Sequence, residues 1–103
     1  MDEWTEEELI IAMEFYYSCP ERMHTDSHQK CQEIAHMLGR TPGALDAIIR
    51  NIKFVDTGGT GYGHASRRIH KLVHRYQGDQ AALRSRARSI RQNNGWPPLN
   101  CGD

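Results

Sequence analysis

Residues Ile34 to Ile52, reading IAHMLGRTPGALDAIIRNI, restrict the fold more than any other stretch, because they specify two short helices joined by a tight turn. Ile34, Ala35 and Leu38 fall at helical spacing, and the small Ala35 sits where a second helix can cross closely. Gly39 then stops the first helix, since glycine takes the left-handed conformation that other residues resist. Thr41 suits the N-cap of the next helix, and Pro42 suits its first turn, where a missing N–H costs nothing. Leu45, Ile48, Ile49 and Ile52 supply that helix with a buried stripe. Such a layout is that of a helix-turn-helix and points toward DNA.

The 103 residues suffice for one domain with a modest core, and a mean hydropathy of −0.73 describes a polar chain. No apolar run approaches the roughly 20 residues that span a bilayer. The N-terminus, MDEWTEEE, is acidic where a signal peptide would be basic, so the expectation is a cytoplasmic protein without a membrane partner. Cys19, Cys31 and Cys101 are odd in number, widely spaced and without CxxC, which predicts a reduced, disulfide-free chain. The zero net charge conceals a segregation. Residues 1–38 hold nine acids against Arg22 and Lys30, whereas residues 39–103 hold eleven bases against four acids. The basic portion can therefore face phosphate while the acidic helix orients the approach. Alternatively the two portions pair with each other across the fold.

Local signals mark five helices and no strand, an all-α chain. Thr5 and Glu8 form a capping box, Trp4 can staple against Leu9, and Leu9, Met13, Tyr16 and Tyr17 face inward until Pro20. The second helix runs from near Asp26 to Leu38 and the third from about Pro42 to Lys53. Residues 56–66, DTGGTGYGHAS, read as a glycine-rich loop. Ser66 caps a fourth helix with Ile69, Leu72, Val73 and Tyr76 apolar, and Gln77-Gly78-Asp79 breaks it. A fifth covers about Gln80 to Gln92. The domain then spans residues 1–93, with 94–103 an extended tail carrying Trp96 and paired prolines.

Within a DNA-facing third helix the outward positions are Gly43, Ala44, Asp46, Ala47, Arg50, Asn51 and Lys53, next to Arg40 and Thr41 in the turn. Only Asp46, Arg50 and Asn51 can hydrogen-bond base edges, Arg favouring guanine and Asn adenine. In the other reading the small residues face a helix, and Arg50 and Asn51 merely end their own. Arg67, Arg68, Lys71 and Arg75 on the fourth helix, and Arg84, Arg88 and Arg91 on the fifth, suit backbone phosphates. The loop Gly58 to Gly63 could offer backbone N–H groups to a phosphate but lacks a P-loop's GK[ST]; a connector is the plainer reading, with Tyr62 a stacking residue or an anchor. Cys19, His24, His28 and Cys31 have tolerable zinc spacing, and His70 and His74 lie one turn apart, yet Cys31 belongs to a core stripe. No metal, cofactor or catalytic residue is assigned, and Glu6 to Glu8 suit a helix N-terminus.

Trp4-Thr5, Glu7-Glu8-Leu9-Ile10, Ala12, Ile34-Ala35, Leu38-Gly39-Arg40-Thr41-Pro42, Asn51, Asp56 and Gly63-His64-Ala65-Ser66 resemble, in order and spacing, the N-terminal head domain of McrA-like, modification-dependent HNH restriction endonucleases. More distantly the chain is similar to Myb/SANT and trihelix domains. The resemblance covers roughly residues 4–76 and implies a DNA-handling accessory domain. Those nucleases continue into a ββα-metal domain, and this sequence reaches Asp103 without one, so cutting is not carried over. The expectation is a non-catalytic protein that binds duplex DNA, plain or modified, mainly through the phosphate backbone, in restriction, defence or transcriptional control. The alternative is an adaptor that docks on a separate nuclease or on its own copy through the acidic first helix or the WPPL tail, where Trp96 would be an exposed anchor.

Overall fold

The computed structural model describes residues 3–58 and 65–102. Its helices are α1 (Glu6–Ser18), α2 (Gln29–Met37), α3 (Pro42–Thr57), α4 (Arg67–Tyr76) and α5 (Gln80–Asn94), with a single 3₁₀ turn at Glu21–Met23 and no strand among the described residues. The fold is all-α. No helix is long and apolar enough to cross a membrane among the described residues.

α1 is the central element, touching α3, α4 and α5. Its residues Leu9 to Phe15 are buried without interruption, including Ile10, Ile11 and Ala12, because neighbours enclose it on several sides. A helix that is apolar all round belongs at the centre of a core. The one-sided face read from Leu9, Met13, Tyr16 and Tyr17 was too narrow. Tyr16 and Tyr17 are half-buried, and both hydroxyls donate to the Asp56 carboxylate on α3. Burial, then that carboxylate, pushes both phenols well above their ordinary range.

The caps form as the sequence dictates. Thr5 Oγ1 accepts from Glu8 N at 3.1 Å, and Glu8 Oε1 accepts from Thr5 N at 2.9 Å. Thr41 and Ser66 cap α3 and α4, while Asp79 caps α5. Gly39, with φ of 70°, turns the chain after α2, and Arg40 N donates back to Ala35 O. Boundaries shift where side chains intervene. α2 begins at Gln29, three residues later than expected, because His28 supplies the cap through Nδ1. α3 and α5 outrun their expected ends and stop at left-handed Gly58 and Gly95. Of the expected glycine-rich loop, residues 59–64 lie outside the described residues.

The cysteine expectation is overturned. Cys19 at the end of α1 and Cys101 in the tail form a disulfide across 82 residues, with Cα atoms 5.4 Å apart. Counting and spacing could not find it, because only the folded path of the tail brings the two together. Cys31 is the free, buried thiol, pushed up to about 11 by burial and then by Asp46. The tail itself has no regular secondary structure, but it folds back. Trp96, Leu99 and Cys101 are partly buried against the core, and Trp96 N donates to Arg91 O.

Beneath the tail lies an internal ion pair. Arg91 on α5 is 4% exposed and Glu14 on α1 is 8% exposed. Arg91 Nε donates to Glu14 Oε1 at 2.9 Å and Nη1 donates to Pro97 O at 2.9 Å, so one guanidinium joins α5, α1 and the tail.

Two outcomes follow for stability. Cys101→Ser should lower the unfolding free energy by up to about 4.5 kcal/mol, the loop-entropy value for a closure of this length. Reductant should cost the wild type a similar amount in chemical denaturation and the variant nothing. Arg91→Leu should cost about 3–5 kcal/mol by stranding Glu14, and adding Glu14→Leu should recover most of that loss. A double variant as unstable as the single one would refute this role for the pair.

Candidate nucleic-acid interface

α4 is the most one-sided helix of the fold. Ile69, Leu72, Val73 and Tyr76 are buried on one side. Every other position is exposed: Arg67, Arg68, His70, Lys71, His74 and Arg75. At 100° per residue, Arg67, Lys71 and His74 run along the centre of the outer face, with His70 on one flank and Arg68 and Arg75 on the other. No carboxylate interrupts it. The His70 and His74 rings stack with centroids 6.3 Å apart. Arg68 Nη1 donates to Trp4 O at 3.0 Å, and the Arg75 guanidinium lies 5.2 Å over the Tyr76 ring. Arg67 and Lys71 form no salt bridge with any described residue.

Pairing across the fold takes up part of the acid-base segregation. Arg40 grips Glu8 through two nitrogens at 2.8 and 2.9 Å, donates to Glu3 O, and stands 4.9 Å over the Trp4 ring. That hydrogen bonding holds the Glu8 carboxyl below its usual range. Arg86 pairs with Glu6 at 2.7 Å and Lys53 with Glu21 at 2.9 Å. Arg86, through its hydrogen bond, likewise lowers Glu6, with weaker help from Arg68 and Arg75. Together with Arg91–Glu14, each pair joins a base of residues 39–103 to an acid of residues 1–38.

The expected base-reading helix is correspondingly occupied. Asp46 is 7% exposed, accepts from Asp26 N at 2.9 Å, and binds Arg50 at 2.8 Å. It is a structural acceptor and cannot reach a base edge. Arg50 remains exposed but neutralised, Thr41 is committed as a cap, and Lys53 is engaged by Glu21. Asn51 is half-buried and lines a groove shared with α4. Because α3 continues to Thr57, Arg50 and Asn51 stand mid-helix, not at its end.

The α5 arginines divide. Arg91 is the internal strut described above, so its place among surface phosphate contacts is corrected. Arg84 and Arg88 are exposed. Arg86, which approaches the α4 residue Tyr76, lies roughly 160° around the helix from both. Arg84 and Arg88 therefore face away from α4 and do not extend its basic face. Alongside the four cations of α4 that spacing identifies, helical projection places His70 and His74, in the sequence candidates only for metal, on the same outer face.

The four residues with zinc spacing do not converge. Cys19 is in the disulfide, His24 Nε2 contacts Cys19 O at 3.0 Å, His28 caps α2, and Cys31 Sγ points to Pro42 O at 3.8 Å. No group of three or more His, Cys, Asp or Glu side chains among the described residues could hold a metal ion. The phosphate-cradle reading of Gly58 to Gly63 lies, beyond Gly58, outside the described residues. No family model, curated protein or solved structure matches the chain.

His24 generates a pH prediction. Burial, opposed by its hydrogen bond to Cys19 O, lowers its affinity for a proton below the ordinary 6.5. Between those values the unfolded chain binds more protons than the folded one, so stability rises with pH. Its contribution is complete above about pH 7 and is lost as pH falls through 6.5 toward the folded value. In urea denaturation from pH 8 to pH 5, His24→Gln should flatten this decline. An unchanged slope would remove His24 as its source. Below about pH 4.5 a further loss follows as Glu6 and Glu8, both held low, take up protons.

Proposed function

We propose that the chain is a non-catalytic DNA-binding protein that seats α4 along the phosphate backbone of a duplex. The observation that carries this is the outer face of α4, where Arg67, Arg68, His70, Lys71, His74 and Arg75 occupy every exposed position and no acid intervenes. Successive cations four residues apart rise by about 6 Å, so a ten-residue helix offers a row rather than a point of charge. Acidic groups elsewhere, such as exposed Glu7, repel the duplex and favour this one approach. Recognition is predominantly of the backbone, because on α3 Asp46 is buried and Arg50 is ion-paired with it, which leaves only the half-buried Asn51 to meet a base. The family resemblance adds a setting in restriction, defence or transcriptional control. An adaptor role through the WPPL tail gains less support, since Trp96 and Leu99 lean on the protein's own core.

Fluorescence anisotropy with a mixed-sequence duplex at graded salt tests this. Neutralising four phosphates gives a log–log salt slope of roughly −3 to −4. Arg67→Ala with Lys71→Ala should weaken binding about tenfold and flatten the slope by about two. Arg84→Ala with Arg88→Ala should leave both nearly unchanged. Absence of binding at the lowest salt, or equal losses in the two double variants, would defeat the assignment.

A further inference from the structure

Beside the basic face, α4, α3 and the N-terminal segment enclose an open groove of about 710 Å³. This is within the range of small-molecule sites, roughly 300–1,000 Å³. Its apolar lining comes from Leu9, Ile48 and Leu72, and the partly exposed Trp4 ring lines one wall. Arg67 and Lys71 stand on the α4 rim; Glu3 and Glu6 stand on the other. The charge is therefore ordered across the groove, cationic toward α4 and anionic toward the N-terminus. Arg40 over the Trp4 ring and Arg68 on the Trp4 carbonyl hold this wall in place.

We infer that the groove accepts one unpaired nucleotide of a DNA duplex, base inward and phosphate outward. The inference rests on the duplex-binding reading above. A phosphate settles on the Arg67–Lys71 rim, where the two cations form no salt bridge with a described residue; Glu3 repels it from the opposite rim, where Glu6 is already paired with Arg86. The attached base then points across the apolar lining toward Trp4, whose indole offers a stacking surface for any base. Asn51 lines the same groove, and its Oδ1 is buried without a hydrogen-bond partner. For this orphaned amide a donor on the base edge would supply the missing bond, one that no described residue makes. A fully paired duplex cannot deliver a base here without unstacking it, so an already extrahelical base is the favoured occupant.

The test uses the 103-residue protein carrying Trp96→Phe, so that Trp4 alone reports in fluorescence. Three duplexes of one sequence are titrated: fully paired, with a single-nucleotide bulge, and with an abasic residue at the bulge. The bulged duplex should bind roughly tenfold tighter than the paired one and quench Trp4, while the abasic bulge should match the paired duplex. Trp4→Leu, verified as folded by circular dichroism, should reduce the bulge preference to about twofold or less with paired-duplex affinity unchanged. Equal binding of the bulged and abasic duplexes, without Trp4 quenching, overturns the base site and leaves backbone binding by α4 standing. Failure of every duplex to bind overturns both.

Discussion

The Glu14–Arg91 ion pair is the contact on which the arrangement of the helices turns. It joins the centre of α1 to the last turns of α5, and its spare nitrogen receives the tail at Pro97. Burying two charges is costly, and an apolar pair of the same volume would often serve stability as well or better. What the guanidinium adds is geometry. Its planar fork accepts only orientations that satisfy Glu14 and Pro97 together, which fixes the register of α5 on α1 and the direction of the tail. Cys101 is thereby carried back over α1 to Cys19, so the disulfide closes a path the ion pair has already defined.

Charge pairing has the same long-range character elsewhere. Arg40–Glu8, Arg86–Glu6 and Lys53–Glu21 link distant parts of the chain, and the half-buried Arg40 pair also reinforces the capping box of α1. Exposed pairs of this kind contribute little individually. Their larger consequence is subtraction: they cancel Arg40, Lys53 on α3 and Arg86 on α5, while the cations of α4 stand outside these pairs. A chain with no net charge can in this way present a strongly cationic face.

The elements legible in the sequence are those set by contacts three or four residues apart. Thr5, Thr41, Ser66 and Gly39 act as expected because a cap depends on its own turn, whatever lies around it. The α4 stripe is equally local. Burial of Asp46 was not legible, because its partner Asp26 lies on another segment. The disulfide failed for the same reason. Two signals were present and went unused. The unbroken apolar run Leu9 to Met13 marks a helix enclosed on all sides, and Arg91 follows Ala87 by one turn, within the stripe of Leu83, Ala87 and Ile90. An arginine in an apolar stripe is a candidate strut before it is a surface charge.

Local energetics separate α4 from the other helices. Arg67 and Arg68 occupy its first turn, where the helix dipole favours acids, and Arg67–Lys71 and Lys71–Arg75 are like-charge neighbours one turn apart. Each arrangement opposes the helix by a few tenths of a kcal/mol. Only burial of Ile69, Leu72, Val73 and Tyr76, together with the Ser66 cap, offsets this. α1 shows the contrary choice: Glu6, Glu7 and Glu8 fill its first turn, in agreement with the dipole. The outer positions of α4 thus depart from the local rule that α1 obeys, a departure that the proposed DNA-binding face would account for. A polyanion along α4 would relieve both penalties at once, by screening the arginines from each other and by placing negative charge at the helix N-terminus.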